Sequence, residues 1–254
     1  MKIYAIAVNT FKEAIRDKIF YSLVFFAGLI IGASILLSML TLGEGSKIVA
    51  DISLAGINFF GVIISIFVGI GLVYKEIEKK TIYTIISKPI RRSDFLLGKY
   101  LGLALTLLVY LSVMSAIFLA VLYIYTGSLA YKLLLSVILI YFELLIVTAA
   151  AILFSTFSTP SLSATYTLAI YVIGHLTGDL KALAGKTDIA SAKFVLDAAY
   201  YVLPNLENFN IKGEVVHNIP ISGFYMLQAM TYGVLYVVCL IIIAVIIFQK
   251  KNFK

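Results

Sequence analysis

The chain has 254 residues, of which 62% are hydrophobic and only 13% charged, and its mean hydropathy is +1.05. Soluble domains carry about 25% charged residues, so this composition excludes an ordinary soluble enzyme or binding module and defines a membrane protein. The net charge of +7 does not indicate nucleic acid, because the basic residues sit beside apolar runs where topology signals belong, and the lone Cys239 excludes an intrachain disulfide.

Residues 1–20 mix Lys2, Lys12, Arg16 and Lys18 with Glu13 and Asp17, unlike a secretory signal. Tyr4, Val8, Phe11, Ile15 and Ile19 recur at helical spacing with the charges mostly elsewhere, which predicts an amphipathic helix at the cytoplasmic interface or a simple extension of the first span. Thr10 and Glu13 have capping-box spacing, which would begin the regular helix at Phe11.

A crossing of the roughly 30 Å hydrocarbon core needs about 20 apolar residues. Six segments qualify, near 21–42, 53–74, 96–125, 133–154, 162–178 and 224–248. Between the second and third, a segment holds Lys75, Lys79, Lys80, Lys88, Arg91, Arg92 and Lys99 against Glu76, Glu78 and Asp94. By the positive-inside rule it is cytoplasmic, as are both termini. Ile77, Ile82, Tyr83, Ile85 and Ile86 are interleaved with the charges, and a mere connection has no need of them. Pro89 ends any preceding helix, and Ser93 or Asp94 is placed to cap the next. The result is a short stiff element between two spans, able to hold a partner or anionic lipid heads.

Small residues suggest helix contacts. Gly28-x-x-x-Gly32 in the first span and Gly174-x-x-x-Gly178 in the fifth are candidates for close approach by a second subunit. The fifth span is the shortest, and Ser163, Thr167, Tyr171, Gly174 and Gly178 lie near one stripe, facing a pathway, a second subunit or the chain's own bundle. Glu143 is the sole acid within a span. An ionised carboxylate at that depth costs about 2.5–3.5 kcal/mol on insertion scales, so it must face the protein interior, paired or protonated, in a functional or a structural role.

Residues 179–223 form the largest external piece. A helix is predicted over 188–203, capped at Thr187 or Asp188 and stopped by Pro204-Asn205, with Ile189, Ala192, Leu196, Ala199 and Leu203 on one face to pack over the membrane ends as a lid. The stretch with Gly213, Val215, Val216 and Pro220 reads as short extended structure. Catalytic and metal motifs are missing: Gly185-Lys186-Thr187 imitates a phosphate loop, but Leu180 stands where its first glycine belongs, and His175 and His217 are not at ligand spacing. No cofactor or metal is expected in this chain.

Glu76-x-Glu78-x-x-Thr81, Ser87-x-Pro89-x-x-Arg92 and Gly98-Lys99 together resemble the cytoplasmic loop of type-2 ATP-binding-cassette (ABC) transporter permeases. Tyr201-x-x-Pro204-Asn205-x-x-Asn208-Phe209 is similar to the subgroup linked to multicopper-enzyme maturation, although Lys80 stands where the broader family often has Gly. The resemblance implies one all-α permease domain over 1–254: an elbow helix at 1–20, six spans, a coupling helix within 75–95 and an extracytoplasmic segment at 179–223. It implies an ATP-binding subunit, carrying the ATP and Mg, docked on Glu76, Glu78, Thr81, Ser87, Pro89 and Arg92. A second permease copy or homologue would meet the first, second and fifth spans. The expected function is ATP-driven transport, in the direction of export, in the cell membrane. The competing reading is a secondary transporter or channel that uses Glu143.

Overall fold

The computed structural model describes residues 2–39, 43–78, 91–128, 130–187 and 189–250, with the backbone alone at 73 and 75–78. The described residues are helical throughout, joined by turns. In chain order the helices are α1 (Lys2–Ile15), α2 (Lys18–Ser38), α3 (Gly45–Glu78), α4 (Arg92–Thr126), α5 (Leu134–Ser155), α6 (Pro160–His175), α7 (Thr177–Lys186), α8 (Ala190–Val202), α9 (Lys212–Val216) and α10 (Gly223–Lys250). Among the described residues, five segments are long and apolar enough to cross a membrane: Lys18–Ser38, Gly45–Leu72, Arg92–Thr126, Tyr131–Ser155 and Gly223–Lys250. The expected crossing at 162–178 is α6, whose 16 residues reach about 24 Å before the chain turns at Leu176 into α7.

Helices α3 and α5 form the centre, with 72% of each apolar window buried, against 22% for α2 and 33% for α10. They approach closely because one side is small: a Cβ at Gly61 would collide with Leu144, and Gly69 faces Ala151. Two hydroxyls in this interior bond within their own helices, Ser65 to the Gly61 carbonyl and Thr148 to that of Leu144. Tyr110 of α4 donates to the Ile57 carbonyl at 2.9 Å and ties a third helix to this pair.

Three local expectations are corrected. No capping box starts a helix at Phe11: α1 runs unbroken from Lys2, and Thr10 is fully buried within it. The break falls at Arg16-Asp17, where the Asp17 carboxylate accepts from Ile19 N at 2.9 Å and starts α2 as a separate helix. Nor do Ser93 and Asp94 cap α4, which already begins at Arg92, with Arg91 at the N-cap and Asp94 in its first turn. The stretch containing Gly213 forms the short helix α9, not extended chain.

Helix α1 lies against the start of α4 over a small-residue pair that the sequence reading passed over. A Cβ at Gly98 would come within 2.6 Å of the Ile6 side chain, and one at Gly102 within 2.6 Å of the Ala7 carbonyl oxygen. Spacing of four residues puts both glycines on one face, which lets α1 settle almost backbone to backbone. Lys99 lies between them with its side chain 1% exposed and its Nζ 3.6 Å from Glu13 Oε2.

Helix α8 spans Ala190–Val202, and its N-cap is Ile189, without a side-chain cap. Its main packing partner is α7. The following strap, 203–209, runs along α10 towards its start: Tyr236 Oη donates to the Val202 carbonyl at 2.7 Å, Asn205 N donates to Tyr232 Oη at 2.9 Å, and Phe209 fills the space left by Gly233. Tyr232 and Tyr236 are nine and thirteen residues past Gly223, about 14 and 20 Å along the helix, so the strap reaches well below the end of α10.

Candidate functional site

Two sites stand out, one at the centre of the bundle and one where the charged loop meets it. At the centre, α5 presents Glu143 towards α3 and the end of α6, with no exposure to solvent. Asn58 of α3 directs Nδ2 at both carboxyl oxygens, 3.3 Å from each. His175, the last residue of α6, places Nε2 3.4 Å from Glu143 Oε1 and Nδ1 3.0 Å from the Tyr171 carbonyl. The Tyr171 ring lies on the imidazole with centroids 4.7 Å apart. Farther out are Lys212 of α9, Glu207 of the strap and Asp51 of α3; burial pushes the Lys212 ammonium below the ordinary lysine range, while Glu143, Glu207 and Asp51 pull it back up.

The expected stripe on α6 turns inward. Ser163 and Thr167 are buried, the first with its Oγ 2.6 Å from Ser158 Oγ, the second donating to the Ser163 carbonyl at 2.7 Å. Gly174 is not open to a second subunit: its absent side chain makes room for the Pro204 carbonyl and Leu206, each 2.8 Å from where a Cβ would sit, and its carbonyl accepts from Leu206 N at 2.9 Å. The stripe therefore packs on the chain's own α5 and strap, while Leu162, Tyr166, Leu168 and Val172 face outward. Gly32 and Gly178 have open space before them, and Gly28 meets only the tip of Ile117.

At the second site, Glu76 and Glu78 end α3, but their side chains lie outside the described residues, as do Thr81, Ser87 and Pro89. Arg92 is described, and it is bonded within the chain. Its Nη1 donates to the Phe248 carbonyl at 2.9 Å and the Gln249 carbonyl at 3.0 Å, closing the C-terminal end of α10, while Phe95 stacks on Phe248 with rings 16° from parallel. The first three turns of α4 thus carry the end of α10 through Arg92 and Phe95, and α1 through Gly98, Lys99 and Gly102.

Asn58 and His175 were the central residues that sequence reasoning missed. A lone amide in an apolar span was the available signal for the first. The second was visible only as a histidine without a ligand partner.

Long apolar helices around a small-residue centre, with a buried acid at mid-span and a charged junction at one end, define a polytopic helical membrane protein. The sequence profile described as ABC-2 family transporter protein matches residues 4–253, and the chain belongs to that family. It is accordingly a multi-pass permease component of the cell membrane, not itself catalytic, in a family whose members generally work with an ATP-binding subunit. No curated protein matches the chain. The profile represents the family as a whole and does not extend to the multicopper-maturation subgroup.

Proposed function

We propose that this chain is the membrane subunit of an ABC exporter, and that an ATP-binding subunit drives it by pushing on residues 75–91. The observation that carries this reading is the junction just past that loop. Arg92, Phe95, Gly98, Lys99 and Gly102 bind α10 and α1 within three turns of α4, so a displacement of the loop reaches several helices at once. A loop that only bound lipid heads would have no need of that fastening.

In this reading both termini are cytoplasmic, since fourteen of the twenty Lys and Arg collect on that side. Helices α6 and α7 together make the sixth crossing. A second permease meets the face of α2 that bears Gly28 and Gly32, beside exposed Phe25 and Leu29. The test is purification in mild detergent followed by reconstitution. The chain should bring down an ATP-binding protein, and vanadate should block transport.

The second reading, a proton-driven transporter, is favoured by the pairing of Glu143 with His175. Transport by the purified single chain that follows a proton gradient without nucleotide would establish it in place of the first.

A further inference from the structure

The polar cluster at the centre of the bundle has no part in the docking scheme, yet its geometry is restrictive. The Tyr171 carbonyl can only accept, so His175 Nδ1 must carry a hydrogen. Nε2 is then the nitrogen that takes up or releases a proton, and it faces Glu143 Oε1. If the imidazole is neutral, the carboxyl holds the proton and donates it to Nε2. If the imidazole is charged, Nε2 donates to the carboxylate. Both arrangements leave the pair neutral with one proton on the same line, and Asn58 Nδ2 donates to the carboxyl oxygens in either. A second proton leaves a net positive charge in the site, and loss of the only proton leaves a negative one on Glu143, which has no exposure. The charged and titratable groups around the pair are Tyr171 on α6, Asp51 on α3, Lys212 on α9 and Glu207 on the strap.

The pair also occupies a mechanical position. His175 is the last residue of α6, and the residue before it, Gly174, binds the strap through Leu206 N and leaves room for Leu206 and the Pro204 carbonyl. We propose that Glu143 and His175 hold a single proton between them as a latch, which fastens the end of α6 and the strap at 203–209 to the central helices α3 and α5. A second proton, entering through the partly exposed His175, opens the latch and frees the corner formed by α6, α7 and α8. Both are positioning residues, and the latch depends on the chain's own geometry and not on what powers transport.

The strap reports on the latch through the amide of Leu206, and hydrogen exchange of the full chain in lipid nanodiscs, corrected for intrinsic rate, reads it. In the wild type the strap should lose at least tenfold in protection between about pH 7 and pH 5. His175→Gln, whose amide can donate to the carboxylate or accept from the protonated acid but takes up no second proton, should stay protected at both. His175→Ala should be unprotected at both. An acid-driven loss that persists in His175→Gln, or wild-type protection in His175→Ala, overturns the proposal. Infrared difference spectra of wild type minus Glu143→Gln give a second readout. Replacement of His175 should convert the shared-proton carboxyl signal into that of an ordinary protonated acid, and an unaltered signal contradicts the latch even if exchange is ambiguous.

Discussion

Arg92 closes the far end of the fold: its guanidinium, on the first residue of α4, donates to the carbonyl of Phe248 at 2.9 Å, 156 residues away in sequence. The last carbonyls of a helix have no partners within it and carry the negative end of its dipole, so a cation there acts as both donor and counter-charge. Arg92→Gln should lower stability by about 1–2 kcal/mol, with fraying confined to the last turn of α10. Hydrogen exchange over residues 244–250, with denaturation in detergent, checks this. Binding of the ATP-binding subunit should change little, since Arg92 is engaged within the chain.

The docking of α1 rests on two absent side chains. Gly102→Ala places a methyl against the Ala7 backbone oxygen, which cannot rotate away, so α1 must shift, at about 1–3 kcal/mol. Gly178→Ala meets open space and should stay within about 0.5 kcal/mol. Accessibility of a cysteine introduced at Ile6 separates the two, rising only in the first.

Tyr232→Phe removes the acceptor of the Asn205 amide and should cost about 1–2 kcal/mol. Tyr236→Phe should cost no less, because the Val202 carbonyl it releases lies about 20 Å along a membrane-spanning helix, where exposure is to lipid and not to water. Thermal unfolding of both variants in the same detergent orders them.

The ammonium of Lys212 is less favourable in the folded chain than in the unfolded one, since burial depresses it. Folding is therefore penalised while both states are protonated, and the penalty falls as pH rises through the lowered value towards the ordinary lysine range. Lys212→Gln should flatten this rise. The comparison is of the unfolding midpoints of both proteins from about pH 8 to pH 10.

The membrane class, the five long helices and the buried acid were legible because burial in lipid imposes run length and charge exclusion on the sequence itself. Helix partners were not. Gly28, Gly98 and Gly174 all sit in G-x-x-x-G spacing, and nothing local says that the first meets little, the second receives α1 and the third receives the strap. The same holds for Arg92, whose partner is 156 residues away, and for Asn58 and His175, whose meaning depends on Glu143 arriving between them. The strap escaped because its anchors, Tyr232 and Tyr236, read as ordinary aromatics of an apolar span.

The central claim is that the charged segment before α4 is where an ATP-binding subunit applies force. Its most direct test is ATP-driven transport and ATP hydrolysis, measured together in proteoliposomes, after residues 76–91 are scrambled with charge and length kept. Hydrolysis should continue while transport falls to background. Transport at the wild-type rate would contradict the account.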